Sequence, residues 1–316
     1  MINICLLGVG QVGSAIAKLV VEGVNALPIP VTITAGLVRD VGLPRRTDAV
    51  RLTSSGAAVL DSAPDVVIEV LGGLEPARTL ILEALARGIP VVTANKTVVA
   101  HYGDEILAAA AAARVPFRYE AAVIAGVPFL GTFARRPLAS HVTRLTGIVN
   151  GTTNYILSKM TFEGCDFATA LAQAQAQGFA EPDPSKDVDG IDAAEKLAIL
   201  IRQFFGVSIA PDDLDVRGIR GVTAADLATA RRAGGTIKPI VFAERSSSRV
   251  SAFVGPEFVA NSHPLAALNG TTNGVILQRA GGQELTFTGP GAGPDVTAIT
   301  ILDDVLEVVA ERNLYQ

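Results

Sequence analysis

The stretch INICLLGVGQVGSAIAKLVVEG, residues 2–23, reads as a strand, a tight turn and a helix. Residues 2–7 are an apolar run typical of a short buried strand. An apolar helix pattern then begins near Gln11 and ends near Gly23. A strand followed at once by a glycine-rich turn and a helix indicates the first β–α unit of a dinucleotide-binding domain.

Three glycines in this turn follow the spacing G-x-G-x-x-G. Gly8 permits the turn, Gly10 lets a pyrophosphate approach the backbone, and Gly13 lets the helix pack on the strand. The helix N-terminus adds free amides and the positive end of the helix dipole. The alternative is an incidental glycine-rich turn. The residues predicted to bind the dinucleotide here are Gly8, Val9, Gly10, Gln11, Val12 and Gly13.

Two more strand-then-loop segments, 64–73 and 88–96, are separated by an amphipathic helix pattern. This alternation predicts a parallel sheet and an α/β fold of the Rossmann type. Because ligands of such sheets lie beyond the carboxyl ends of the strands, we expect Gly72 and the loop of Thr93 and Lys96 at the cofactor cleft. For Lys96 the alternative is an ordinary solvated surface lysine.

The end of the second predicted strand, residues 31–40, should meet the adenosine ribose of the cofactor. Asp40 there favours NAD, whereas its neighbour Arg39 can accommodate the 2′-phosphate of NADP. Arg45 and Arg46 follow, so the sequence predicts NADP, with NAD possible. The alternative is that these arginines are ordinary solvent-exposed side chains of a loop.

Composition excludes several other classes of protein. The 316 residues, 49% apolar and 18% charged, are enough for two domains with large cores. A net charge of −5 without a basic run argues against a nucleic-acid partner. Cys5 and Cys165 form no spaced pair and the three histidines lie far apart, which argues against structural zinc. Without a signal-peptide pattern or a long apolar run, we expect no membrane span and a cytoplasmic location.

Beyond residue 130 the pattern changes to that of an α+β substrate domain. Predicted strands occur at 236–245, 248–254, 274–280 and 284–288, and predicted helices at 165–177, 188–205 and 222–233. A last helix, from about residue 294, is expected to pack back on the first domain. The predicted domains are therefore 1–130 with 294–316, and 131–293.

The stretch GFAEPDPSKDVDGIDAAEKLAILI, residues 178–201, gathers charge beside an apolar helix pattern. Asp192 and Lys196 are four residues apart and so share one face of that helix. A buried acid–lysine pair of this kind fixes the position of the lysine. Hydride transfer to a carbonyl also needs a proton donor, and in a chain with few histidines Lys196 is the natural candidate.

Further carboxylates precede this helix on a proline-rich loop. Glu181 and Asp187 can bind a substrate ammonium. For Asp187 and Asp189 the alternative is ordinary capping of the helix N-terminus, from which Glu181 is too distant.

At this point the chain resembles the homoserine dehydrogenase family nearly from end to end. The motifs that carry the resemblance are GVGQVG (8–13), TANK (93–96), EAAVIAGVP (120–128), GIVNGTTNYIL (147–157), GFAEPDPSKDVDGIDAAEKLAIL (178–200) and GPGAG (289–293). The resemblance implies the NAD(P)-linked interconversion of L-homoserine and L-aspartate 4-semialdehyde, in biosynthesis toward threonine and methionine. It also implies a homodimer formed through the second domain.

The resemblance assigns roles residue by residue. Lys196 matches the family's catalytic lysine, Asp192 its partner on the helix, and Lys96 a second lysine near cofactor and substrate. The implied substrate-binding residues are Glu181, Asp187, Gly151, Thr152 and Phe179, the last standing where the family often has tyrosine. Gly291 of the GPGAG motif joins the cofactor-binding set.

The resemblance further implies a site for a monovalent cation, sodium, built largely from backbone oxygens. Its residues are Glu120, Val123, Ala125 and Val127. The family usually has glycine where this chain has Ile124. Many relatives carry a C-terminal module that senses threonine; since the sequence stops at Gln316, we expect weak or absent feedback inhibition.

Two other functions stay open on the residues alone. One is a different NAD(P)-dependent aldehyde or amino-acid dehydrogenase of similar architecture. The other is a non-catalytic NAD(P)-sensing protein, against which the presence of Lys196, Asp192 and Glu181 argues.

Overall fold

A computed structural model describes residues 1–22, 28–43, 50–135, 138, 140–247 and 249–314. The chain divides into two units: residues 1–135 with 292–316, and residues 136–291. The division predicted from the sequence, after residues 130 and 293, differs from this by a few residues.

The first unit alternates strands and helices because apolar strand runs alternate with amphipathic stretches. Its elements are β1 (Ile2–Leu7), α1 (Gln11–Glu22), β2 (Val31–Leu37), β3 (Leu52–Thr53), α2 (Gly56–Leu60), β4 (Val66–Glu69), α3 (Ala77–Ala86), β5 (Val91–Thr93), α4 (Lys96–Ala113), β6 (Phe117–Arg118) and α5 (Leu130–Arg135). Within the described residues, six strands pair in parallel in the order β3-β2-β1-β4-β5-β6. The predicted parallel α/β sheet is confirmed.

The second unit is a mixed sheet with helices on it. Its elements are β7 (Val142–Ile148), α6 (Gly151–Glu163), α7 (Phe167–Ala176), α8 (Ser185–Val188), α9 (Ile191–Phe205), β8 (Asp215–Val216), α10 (Ala224–Arg232), β9 (Gly235–Ser246), β10 (Arg249–Ala260), β11 (Thr272–Arg279) and β12 (Glu284–Pro290). The described strands lie in the order β12-β11-β7-β9-β10-β8, antiparallel except for the β10–β8 pair. Helices α6, α9 and α10 pack on β9.

The last helix, α11 (Pro294–Leu314), belongs to the first unit. Its Ile301, Val305 and Val308 are buried in the same core as Ile16 of α1 and Ile68 of β4. This apolar contact holds α11 on the dinucleotide-binding unit.

The helix predicted over 188–205 is confirmed as α9, but it begins at Ile191 rather than at residue 188, because the chain turns at Gly190 between α8 and α9. Gly190 has a φ of +86°, and a Cβ there would lie 2.8 Å from a methyl group of Val216. A glycine inside the helix pattern therefore marks the end of one helix and the start of the next.

Several other predicted bounds also need correction. The strand predicted to run to Asp40 ends at Leu37, and Lys96, predicted in a loop, is the first residue of α4. The predicted end of α1 at Gly23 and the arginines Arg45 and Arg46 lie outside the described residues. Among the helices that are described, none combines the length and the hydrophobicity that a membrane crossing requires.

Candidate active site

The glycine loop after β1 has the shape that a dinucleotide requires. Gly8 has a φ of +113°, and a Cβ there would lie 2.8 Å from the Val70 carbonyl oxygen. A Cβ on Gly13 would lie 2.2 Å from the Gly8 oxygen, whereas a Cβ on Gly10 would meet nothing within 4 Å. Two glycines thus permit close packing and Gly10 leaves open space, so the loop before Gln11 fits a phosphate group.

The other residues predicted around the nucleotide differ in whether their backbone or their side chain can contact it. Val9 is buried and Val12 packs against the core, so each contributes backbone rather than side chain. Arg39 is exposed just beyond β2. Asp40 Oδ1 accepts a hydrogen bond from the Gly42 amide at 2.8 Å, so this oxygen of the acid is engaged in a local turn.

Gly72, Thr93 and Lys96 lie at the carboxyl ends of the neighbouring strands β4 and β5 or just beyond them. Gly72 has a φ of +75° and open space on its Cβ side. The Thr93 side chain is fully buried and its hydroxyl donates to Glu69 at 2.6 Å, so its backbone rather than its hydroxyl is available to a ligand. Lys96, half-buried, starts α4.

In the second unit, Lys196 and Asp192 form the predicted pair. Lys196 Nζ lies 2.9 Å from Asp192 Oδ2 and donates to the Val149 carbonyl at 2.8 Å. The two residues are only 8% and 5% exposed. An ammonium has three N–H donors. Since the described residues supply two partners, one N–H of Lys196 is left for a ligand.

Sequence reasoning missed Asn150, which connects the acids of this site. Its Nδ2 donates to Asp187 Oδ1 at 2.7 Å and to Asp192 Oδ2 at 2.8 Å. Its Oδ1 accepts from the Thr153 amide at 2.8 Å and so caps α6. The signal was present, because an asparagine before a helix pattern is a common N-cap.

The capping alternative for the acids before α9 is wrong. The residue at the N-cap is Gly190, and no side chain caps this helix within the part of the chain that is described. Asp187 instead accepts from Asn150, and Asp189 is paired with Arg220. Asp187 is therefore grouped with the Lys196–Asp192 pair.

The remaining predicted substrate residues lie at the start of α6 and on the segment before α8. Thr152, in the first turn of α6, donates its hydroxyl to the Phe179 carbonyl at 2.7 Å, and Gly151 is the first residue of that helix. The ring of Phe179, a residue 41% exposed, lies 4.9 Å from the Tyr155 ring. Glu181 is exposed, and its carboxylate bonds to no other residue that is described.

Gly291 lies against Asn273, a residue that sequence reasoning missed. A Cβ on Gly291 would lie 2.4 Å from the Asn273 side-chain amide, so only glycine fits. Asn273 is fully buried, and neither polar atom of its side chain has a partner among the described residues.

The predicted cation bend begins with a 3₁₀ helix, Glu120–Ala122. The Glu120 carboxylate accepts from the amides of Phe129, Leu130 and Gly131 at 2.8, 2.9 and 2.5 Å. This carboxylate therefore anchors the start of α5. The backbone oxygen of Glu120 is the oxygen that the predicted cation site uses.

The carbonyls of Val123, Ala125 and Val127 follow in the same bend. Ala125 accepts a hydrogen bond from the Thr300 hydroxyl, which leaves its second lone pair for a cation. Ile124 is fully buried and is not among the described residues with positive φ, so it occupies the glycine position of the family without strain. Carbonyl oxygens are the kind of ligand that a hard cation prefers. In the described residues no cluster of three His, Cys, Asp or Glu side chains could hold a metal.

A second buried acid lies beside this bend. Asp304 Oδ2 accepts a hydrogen bond from the Glu120 amide at 3.1 Å. Burial, with the Glu120 charge adding to it, raises the pKa of Asp304 to about 8. Burial also raises the pKa of Glu120, although the three amides at α5 oppose this.

Two sequence models of one family match the chain. The model described as "Homoserine dehydrogenase, NAD binding domain" matches residues 8–120, and the model "Homoserine dehydrogenase" matches residues 128–306. The chain belongs to the homoserine dehydrogenase family. As a member of this family, the chain is an oxidoreductase with a nicotinamide cofactor that interconverts L-homoserine and L-aspartate 4-semialdehyde.

Known members are similar over almost the whole chain. The homoserine dehydrogenase of Synechocystis sp. is 41% identical over 98% of this chain and 73% of its own length. The structure of a homoserine dehydrogenase from Thiobacillus denitrificans has a TM-score of 0.90 at 36% identity, over 97% of this chain and 73% of its own. A hyperthermophilic archaeal homoserine dehydrogenase in complex with NADPH has a TM-score of 0.83 at 26% identity, over 98% of both chains.

Proposed function

We propose that this protein reduces the semialdehyde with Lys196 as the proton donor and oxidises homoserine with Lys196 as the proton acceptor. The observation that carries the proposal is the buried ammonium with two protein partners and one remaining N–H. Asp192 and the Val149 carbonyl fix the position of Lys196 Nζ. The third N–H therefore points in one fixed direction and can bond only to a group placed there. A substrate oxygen there would receive the proton as the hydride reaches the neighbouring carbon.

Bound cofactor supplies the hydride in this reaction. Lys196 Nζ gives its proton to the aldehyde oxygen. The Asp192 carboxylate beside it stabilises the ammonium before the proton is transferred and again when Lys196 takes up a new proton afterwards. Lys96 would act as a second lysine near cofactor and substrate. Asn150 keeps Asp187 and Asp192 in fixed positions through its two donors.

Carboxylates hold the amino-acid end of the substrate in this proposal. Glu181 binds the substrate ammonium, because its carboxylate is exposed and bonded to no other described residue. Asp187 adds a second negative charge from α8. The first amides of α6, at Gly151 and Thr152, bind the substrate carboxylate, which the positive end of the helix dipole favours. Phe179 contributes an apolar contact.

NADP is the proposed nucleotide. Arg39 is exposed at the end of β2, where it can pair with a 2′-phosphate. The carboxylate of Asp40, which would otherwise bind the ribose of NAD, accepts from the Gly42 amide. The NADPH complex of the archaeal relative supports the same choice.

A sodium ion and a second copy of the chain complete the proposal. Backbone oxygens of Glu120, Val123, Ala125 and Val127 would hold the sodium and so stabilise the bend. The dimer would form through the second unit, with the enzyme in the cytoplasm.

Purified enzyme assayed with a panel of substrates tests the function. Homoserine should reduce NADP, and NAD less efficiently, while glutamate, malate and phosphorylated aldehydes should give no turnover. Turnover of one of those substrates in place of homoserine would contradict the proposal. Light scattering at several protein concentrations tests the dimer.

A further inference from the structure

Glu69, the last residue of β4, is fully buried at the carboxyl end of the parallel sheet. Its Oε2 accepts from the Thr93 hydroxyl at 2.6 Å. Its Oε1 accepts from the Leu71 amide at 2.8 Å and from Asn95 Nδ2 at 3.3 Å. Each of these partners is a donor, so the surroundings are built for an ionised carboxylate rather than for a protonated acid.

No cationic side chain among the described residues neutralises this carboxylate. In the described part of the chain, no lysine, arginine or histidine forms an ion pair with Glu69. Burial raises the pKa of the Glu69 carboxyl, and hydrogen bonds from Thr93, Leu71, Asn95 and Gly72 oppose that rise. Burying an unpaired charge costs free energy, and a cationic ligand at this edge would offset that cost.

The network around Glu69 also shapes the edge of the sheet. Asn95 Nδ2 donates to the Gly73 carbonyl at 2.8 Å, and Asn95 Oδ1 caps α4, whose first residue is Lys96. The Asn95 amide in turn donates to the Thr93 hydroxyl at 2.9 Å. Glu69 thus links the glycine turn after β4 to the helix that carries Lys96.

We propose that Glu69 is a positioning residue for the cofactor and that its buried negative charge favours the cationic nicotinamide of oxidised cofactor over the neutral reduced ring. This inference rests on the proposed function, in which NADP(H) binds at this edge. Aldehyde reduction moves a hydride, with its electron pair, from the neutral dihydronicotinamide to the aldehyde carbon and leaves a cationic ring. A fixed carboxylate near that ring stabilises the charge as it develops and makes bound NADPH a stronger hydride donor.

Glu69→Gln removes the negative charge of this side chain and keeps its shape. Gln Oε1 can keep the donors at Leu71 and Asn95, and the Thr93 hydroxyl can turn to accept from Gln Nε2. The matched control is Glu105→Gln on α4, where the carboxylate pairs with Arg78 at the surface. Thr93→Val is a second variant: it removes the shortest hydrogen bond to Glu69, and the buried carboxyl is then expected to take up a proton.

The measurement is the dissociation constant of NADP⁺ and of NADPH for each protein by calorimetry, with thermal unfolding as the check on folding. Glu69→Gln should weaken NADP⁺ binding on the order of 5- to 10-fold more than NADPH binding. Thr93→Val should shift the ratio in the same direction by less, and Glu105→Gln should leave it unchanged.

Equal loss of both affinities in Glu69→Gln, or no loss, would overturn the inference while leaving the proposed function intact. If Glu69→Gln does not fold, an unchanged ratio in Thr93→Val overturns it. A wild-type protein that binds neither form would overturn the proposed function, and this inference with it.

Discussion

Lys196 and Asp192 form a buried ion pair one turn apart on α9, with Nζ 2.9 Å from Oδ2. Desolvation makes a buried pair a weak source of stability. Here the pair also places an ammonium whose third N–H has no protein partner among the described residues. The arrangement is better explained by the chemistry of the site than by the stability of the fold.

Asp192→Asn should lower both stability and turnover, because it leaves the Lys196 ammonium buried without its counter-charge. Urea unfolding at one protein concentration should show a loss of about 3 kcal/mol in the free energy of unfolding. Glu163→Gln is the matched control, since Glu163 pairs with Lys159 at the same spacing but is more exposed. It should change neither quantity appreciably; an equal effect of the two variants would refute a special role for Asp192.

Glu181→Gln should raise the KM for homoserine at least about tenfold, because one unit of opposite charge at the substrate ammonium is lost. The dissociation constant of NADPH should stay the same. Asp183→Asn, two residues along the same loop, is the control: its carboxylate accepts from the Ser185 amide. If Asp183→Asn raises KM as much as Glu181→Gln does, the loop as a whole rather than the Glu181 carboxylate binds homoserine.

Replacing sodium chloride by tetramethylammonium chloride at equal ionic strength should lower turnover. The larger cation is too large for the carbonyls of Val123, Ala125 and Val127, so the bend would lose its bound ion. Initial rates in the two salts, and in mixtures of them, measure the effect. Equal rates throughout would rule out a functional sodium site in this bend.

Stability should rise with pH above about 8 because of Lys238, which is buried and donates to the Leu268 carbonyl and to Asn269 Oδ1. Burial lowers the pKa of Lys238 from 10.5 to about 8. Between these values the folded protein binds fewer protons than the unfolded chain, so the free energy of unfolding increases with pH. Lys238→Met should lack this increase. Urea unfolding of both proteins at pH 7 and 9.5, at one protein concentration, measures the difference. An equal change in the free energy of unfolding between the two pH values in both proteins would contradict the prediction.

The parallel sheet and the acid–lysine pair could be predicted because each depends on a local pattern. The G-x-G-x-x-G spacing needs only the strand before it and the helix after it, and i,i+4 spacing alone places Asp192 beside Lys196. The bend at Gly190 is decided by tertiary contact with Val216, which no local periodicity reveals. The helix pattern therefore continued through a residue at which the chain turns.

The hydrogen-bond network of the site could not be predicted in the same way. Asn150 reaches Asp187 and Asp192 across 37 and 42 residues of sequence, and Glu69 reaches Thr93 across 24. Such bonds depend on which strand ends and helices become neighbours in the fold. Residues that bind the acids of a site are therefore identified from the folded structure and not from the sequence motif.

The most direct test is the single-turnover rate of hydride transfer in Lys196→Met, with Lys159→Met as control. Without its proton donor, Lys196→Met should transfer hydride roughly 10²–10⁴-fold more slowly, with the dissociation constant of NADPH unchanged. Lys159→Met, which breaks the more exposed ion pair of the same spacing, should keep the wild-type rate. A wild-type rate of hydride transfer in Lys196→Met would contradict the account.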